Sequence, residues 1–208
     1  MLGFAGIDLT CSPSKRSAYA LLGDGLNIHR LELFGNINEI IAAIENDSPK
    51  VTGIDSPLCK PKDLHCFKDD CSCPDPLPKG RKCERDLRKQ GIPSYYTTKK
   101  SIIKKMILRA IELKKELCAR RFNVIEVYPY ATKRRLWGKE IPKKTTTEGR
   151  RFLQDQLSNI IANIGEYEGK LNHDQYDAII AAYTAYLYSK RLTEPIGDRV
   201  EGYIHVPL

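Results

Sequence analysis

"GFAGIDLTCSPSKRSAYALL", residues 3–22, reads as two short strands joined by a loop, with an acid closing the first strand. Residues 2–8 form a largely apolar run that ends on Asp8, and Ser12, Pro13 and Ser14 supply the turn before "SAYALL" (17–22). A carboxylate at the end of a strand this apolar is costly unless something compensates it. Asp8 therefore directs the reading to other acids at element ends.

The chain has 208 residues, suited to a single domain (1–208), and 41% of them are apolar, enough for a substantial core. "NIHRLELF" (27–34) alternates as a third strand after the turn "GDG" (23–25), and "INEIIAAIEN" (37–46) reads as a helix capped by Asn36 or Asn38. "KVTGIDSPL" (50–58) is a fourth strand, ending in Asp55 and stopped by Pro57. From about 58 to 99 the periodicity is lost in a Cys/Pro-rich insertion, whose one regular piece is a short helix at "KCERDLRKQ" (82–90).

An amphipathic helix follows at 101–121, then a fifth strand, "FNVIEVYP" (122–129), carrying Glu126. A helix at 146–164, with a capping box from Thr145 to Glu148, precedes a last helix, "HDQYDAIIAAYTAYLYSK" (173–190). The tail "EGYIHVPL" (201–208) is a short extended segment. Three hairpin-linked strands followed by strands with helical crossovers predict an α/β fold: a mixed five-stranded sheet flanked by helices.

Asp8, Asp55 and Glu126 stand near strand C-terminal ends, where α/β proteins place their sites. Asp174 and Asp177 are spaced i, i+3 and share a helix face. Each acid alone is better explained as a turn or N-cap residue, and it is their occurrence together that favours a site. Together they would repel one another severely, and divalent cations such as Mg²⁺ or Mn²⁺, which take oxygen ligands, resolve that repulsion.

"GIDL", "IDSPL", "R-x-C-E-x-x-L-R-x-x-GI", "VIEVYP" and "HDxxDA", in this order over nearly the whole chain, resemble domain-of-unknown-function family 429. That family is described as predicted nucleases of the RNase H-like superfamily, the RuvC resolvases in particular. The resemblance implies an RNase H-like fold with sheet order 3-2-1-4-5. It also implies catalytic acids at Asp8, Asp55, Glu126, Asp174 and Asp177, with Asp8, Asp55, Asp174 and Asp177 as Mg²⁺ or Mn²⁺ ligands. The reaction so implied is two-metal hydrolysis of a phosphodiester, and the pairing of RuvC-like enzymes raises a homodimer as a partner state.

Net charge is +8 and the sequence pI about 9.1, which suits a polyanionic partner such as DNA or RNA. Arg81, Arg85, Arg88, Lys99, Lys133 and Arg134 are candidate contacts to nucleic acid, and further basic residues include Lys143 and Lys144. Tyr95, Tyr96, Tyr128, Tyr130 and Trp137 lie among them as stacking candidates. Of seven cysteines, Cys59, Cys66, Cys71, Cys73 and Cys83 lie in the insertion with His65 beside them. They are candidate ligands of a structural metal, zinc first and an iron–sulfur cluster second.

"MLGFAGIDLT" has no secretory pattern, and "AIIAAYTAYLY" (178–188) is too short to cross a bilayer. The expectation is a cytoplasmic protein without membrane association, its thiols mostly reduced. Three rival readings stand beside the nuclease. A sugar-kinase or actin-like phosphotransferase would need a second domain and a Gly-rich nucleotide site, for which the sequence shows no motif. A non-catalytic nucleic-acid-binding module, or a domain organised by a cysteine-bound metal around a partner surface, would need no metal at the acids.

Overall fold

The computed structural model describes residues 3–12, 14–68 and 70–208. Leu2 and Pro13, read above as parts of the first strand and its turn, lie outside the described residues. Strand β1 (Phe4–Asp8) pairs antiparallel with β2 (Ser17–Leu22), and β2 with β3 (Ile28–Phe34). Helix α1 (Ile37–Asp47) returns the chain to β4 (Val51–Asp55), which lies parallel to β1. Asn36 caps α1 by accepting the Glu39 backbone N–H, satisfying one of the free donors of its first turn.

The insertion contains α2 (Lys82–Lys89) and leads to α3 (Lys104–Ala119) and β5 (Val124–Val127), parallel to β4. Then come α4 (Pro129–Trp137), α5 (Thr147–Ser158), a 3₁₀ turn at Ile164–Tyr167, and α6 (His173–Ser189). Strands β6 (Thr193–Asp198) and β7 (Gly202–Pro207) close the chain as an antiparallel hairpin, with β7 parallel to β5.

The sheet therefore has seven strands in the order β3-β2-β1-β4-β5-β7-β6, not five. Order 3-2-1-4-5 holds within it, and the hairpin extends it by two. Strand β6 hides in the sequence because "TEPIGD" contains Pro195 and Gly197, residues that argue against a strand. It is tolerated because β6 is the edge of the sheet, where a missing N–H need not break a ladder. Helix α4 is the second correction: the sequence reading ends a strand at Pro129, whereas Pro129 opens a helix that closes at Gly138 (φ 83°). The N-cap of α5 is Thr146, one residue later than expected, with its side chain accepting from Gly149 N.

The two faces of the sheet bury different helices. Ile7 and Ile54 pack with α1 and α3, through Ile40, Ile44, Leu113 and Leu117. Ala18, Ala20 and Leu22 pack with α5 and α6, through Leu153, Leu157, Ile179 and Ala182. Gly6 and Gly53 face each other across β1 and β4 and let α6 lie directly on the backbone. A Cβ on Gly6 would sit 2.1 Å from the carbonyl oxygen of Ala178 and 2.2 Å from Ala182 N; one on Gly53 would sit 2.7 Å from the Ala181 oxygen. No helix of the described residues is long and apolar enough to cross a membrane.

Gly6→Ala must push α6 off the sheet. It is expected to destabilise the protein by about 2–4 kcal/mol, read as the fall in urea midpoint at unchanged slope.

Candidate metal centre and its cavity

Parallel pairing of β1 and β4 sets Asp8 directly opposite Asp55. Both lie two residues beyond the paired glycines, so by the strand alternation they point to the α6 face. Helix α6 begins at its N-cap Asn172, whose side chain and that of Gln175 satisfy each other's backbone N–H groups, and its fifth residue is Asp177. The close seat of α6 on Gly6 brings Asp177 over the strand ends. Carboxylate oxygens of Asp8, Asp55 and Asp177 lie within 4.8 Å of one another.

Asp177 is buried and held by two ammonium groups. Lys133, itself buried on α4, donates to Oδ1 at 2.8 Å, and Lys144, from the α4–α5 connection, donates to Oδ2. Asp8 and Asp55 have no ion pair among the described residues. Asp8 Oδ2 is buried and makes no hydrogen bond, and neither does the buried Ser56 Oγ beside Asp55. Thr52 Oγ1 and His205 Nδ1 are orphaned as well, but the Asp8 and Ser56 atoms stand together beside the converging acids, where a buried oxygen calls for a partner.

The electrostatics follow from the crowding. Burial, then the charges of Asp55 and Asp177, raise the Asp8 carboxyl well above the usual carboxylate range. Burial, then Asp177, push Asp55 up to about 7. Burial would raise Asp177 as well, but Lys133 and Lys144 outweigh it and hold that carboxyl below its ordinary value. Lys144 also lowers Asp8 and Asp55 through space, but without a direct ion pair it does not offset their burial and crowding.

A cavity of about 610 Å³ opens over the acids. Its walls include Tyr95, Tyr128, Tyr130, Met106, Lys143 and Lys144. Asp174, one turn before Asp177, stays outside the convergent group: it is partly exposed and lies beside His173. Its charge is still felt at Asp8.

Glu126 does not join the acids. It pairs in register with Ile54, not Asp55, so it points to the opposite face. There its two oxygens take Arg81 at 2.7 and 2.6 Å, and one also accepts the backbone N–H of Leu58. Arg81 bonds Glu84 as well, and all three side chains are buried. Arg81 is thus no surface contact for nucleic acid but the counter-ion of two buried carboxylates.

The other basic candidates are also engaged. Arg85 bonds the Pro78 and Gly80 carbonyls and Glu201, while Arg88 stacks over Tyr96 at 4.7 Å. Arg134 lies over Tyr130, and Lys133 serves Asp177. Lys99 is buried, its ammonium on the carbonyls of Cys71 and Cys73. Trp137 packs edge-on against Phe152. Lys144, which the sequence offered only as one of many basic residues, proves to be part of the centre.

The cysteines divide likewise. Cys66, Cys71 and Cys73 converge with His65, all four donor atoms within 4.8 Å. Cys83 is fully buried in an apolar cluster with Leu87, Ile196 and Ile204, and Cys59 lies 3.4 Å from the ammonium of Lys114.

Fold and site together define a mixed α/β protein in which two acids at the C-terminal ends of adjacent parallel strands meet a buried third from helix α6. Residues 6–200 match the family described as Protein of unknown function (DUF429), and the chain belongs to that family. A comparison with curated proteins finds none that matches.

Two outcomes follow. Arg81→Met leaves Glu84 and Glu126 buried and uncompensated, and should cost about 3–5 kcal/mol in denaturant unfolding. For Asp55, the fold raises the pKa, so the native state binds the proton more tightly than the unfolded chain does. Its contribution is present below about pH 4 and is lost as pH rises through about 7. Metal-free Asp55→Asn should therefore melt roughly 2–6 °C higher than wild type at pH 8, a gain that shrinks toward pH 4.

Proposed function

We propose that the protein is a divalent-metal-dependent nuclease of RNase H-like, RuvC-like fold that hydrolyses phosphodiester bonds in a nucleic acid. The observation that carries this reading is the buried, unpartnered Oδ2 of Asp8 within a trio of converging carboxylates. The fold part is supported by the antiparallel β1-β2-β3 meander, the parallel β4 and β5, and the order 3-2-1-4-5. The β6–β7 hairpin is then an addition at one edge.

The donors suit Mg²⁺ or Mn²⁺: hard carboxylate oxygens, with a serine hydroxyl nearby and no soft ligand in the group. Asp8 and Asp55, whose oxygens are free of ion pairs, would hold the first ion, and Asp177 would complete the set. When bound, such an ion lowers the pKa of an attacking water and stabilises the leaving oxygen. Lys133 fixes the Asp177 carboxylate from within the core.

Lys144 is the more exposed of the two ammonium groups and the one able to move. Two ions at this trio require it to release Oδ2 of Asp177, after which it is free to neutralise a substrate phosphate. Tyr95 and Tyr128 give the cavity aromatic faces on which an unpaired base can stack.

The test is cleavage of labelled single-stranded, duplex, hybrid and branched nucleic acids with Mg²⁺ or Mn²⁺. Asp8→Asn should lower the rate by roughly 10²–10³-fold or more, the several kcal/mol an ion supplies. Glu126→Gln, at a carboxylate already held by Arg81, should leave the Mn²⁺-induced rise in melting temperature intact, whereas Asp8→Asn should abolish it. Metal-independent binding without cutting, indifferent to Asp8→Asn, would replace the nuclease with a binding module.

A further inference from the structure

We propose that His65, Cys66, Cys71 and Cys73 bind one structural zinc ion, separate from the carboxylate centre. The first argument is distance. The Cys66 and Cys73 sulfurs lie 3.7 Å apart. Two thiolates on a tetrahedral zinc, each at about 2.3 Å, stand about 3.8 Å from one another, whereas a disulfide would place them at about 2.05 Å. All four donors fit within 4.8 Å, the span of a single ion's ligand shell. Three sulfurs and one imidazole make a Cys₃His set, the chemistry of closed structural zinc sites. An iron–sulfur cluster would call for a fourth thiolate, and Cys59 and Cys83 are engaged elsewhere.

The second argument is the surroundings of the sulfurs. Cys71 Sγ accepts the backbone N–H of Cys73 at 3.5 Å, a bond that stabilises a thiolate. Three thiolates and one Zn²⁺ leave a net charge of −1. The ammonium of Lys99, buried against the Cys71 and Cys73 carbonyls, supplies the opposite charge. The Lys99 backbone N–H also donates to Asp75 at 2.8 Å, tying the ligand loop to the segment that follows α2.

The third is need. Between β4 and α2 the described chain has no helix or strand, and few of its side chains are buried. Leu64 and Phe67 anchor it against Ile107, but the loop beyond them has no core of its own. A metal supplies what burial does not. Through Lys99 it also steadies residues 94–103, which place Ser94, Tyr95 and Ile103 on the cavity wall.

The experiment uses the full chain, purified under reducing conditions and dialysed against metal-free buffer. Elemental mass spectrometry should find one zinc per chain. Cys71→Ser/Cys73→Ser should lose it, and Cys11→Ser/Cys118→Ser, at exposed thiols, should keep it. In case the first variant fails to fold, wild type carries a second readout. Alkylation mapped by peptide mass spectrometry should spare Cys66, Cys71 and Cys73 until zinc is chelated, while Cys11 and Cys118 react at once. Replacement by Co²⁺ should give the intense thiolate charge-transfer absorption of a tetrahedral site. Wild-type protein that neither holds zinc nor takes up one equivalent, zinc retained by the double variant, or iron with sulfide in its place would each overturn the proposal. None of these readouts depends on cleavage, so its failure is distinguishable from failure of the nuclease reading.

Discussion

The architecture of this protein hangs on a close approach: α6 lies against the backbone of β1 and β4 because Gly6 and Gly53 carry no side chain there. A helix normally stands off a sheet by the depth of two side-chain layers. Here Ala178, Ala181 and Ala182 meet two glycines, and the helix sinks until its atoms touch the strands. That depth is what lets a carboxylate on its second turn reach carboxylates at the strand ends. The same contact closes the apolar core on that face, so stability and site geometry share one cause.

Concentrating three acids in the interior has a cost that the protein meets unevenly. Lys133 and Lys144 both ion-pair with Asp177, while Asp8 and Asp55 feel lysine charge only through space, and burial and the neighbouring acids keep their pKa values raised. A fold selected only for stability would pair or remove those two carboxylates. The contrast with Glu126 is instructive, because it lies in the same region of the sheet and is held by both ends of the Arg81 guanidinium, which it shares with Glu84. Both groups reach the same cavity, but Glu126 meets it already paired, whereas Asp8 and Asp55 meet it with no ion pair of their own.

Much of the candidate centre, as a meeting of acids, was legible in the linear pattern. Strand-end acids in "GIDL" and "IDSPL", and the i, i+3 pair opening the last helix, are local features that survive folding unchanged. Glu126 misled because its distance from the strand end differs by one residue from that of Asp8 and Asp55. In a structure of period two, one residue reverses the face. Lys144 was missed for the opposite reason: an irregular connection has no period, so nothing local reveals where a lysine in it will point. The surface role expected of Arg81, Lys99 and Lys133 failed similarly, since burial of a cation is decided by its partners, all distant in sequence.

What the sequence alone determined is therefore whatever depends on neighbours along the chain: strand and helix periodicity, a cap at Asn36 or Asn38, and the acids at element ends. Only the tertiary structure decided the quantities set by long-range pairing. These are the Asp8–Asp55 register, the choice between Asp174 and Asp177, the division of five cysteines into a cluster of three with His65, and the seven-strand sheet. The last case shows the reason most plainly. β6 becomes a strand not through its own propensity, which Pro195 and Gly197 oppose, but because β7 offers it an edge on which a missing N–H costs nothing.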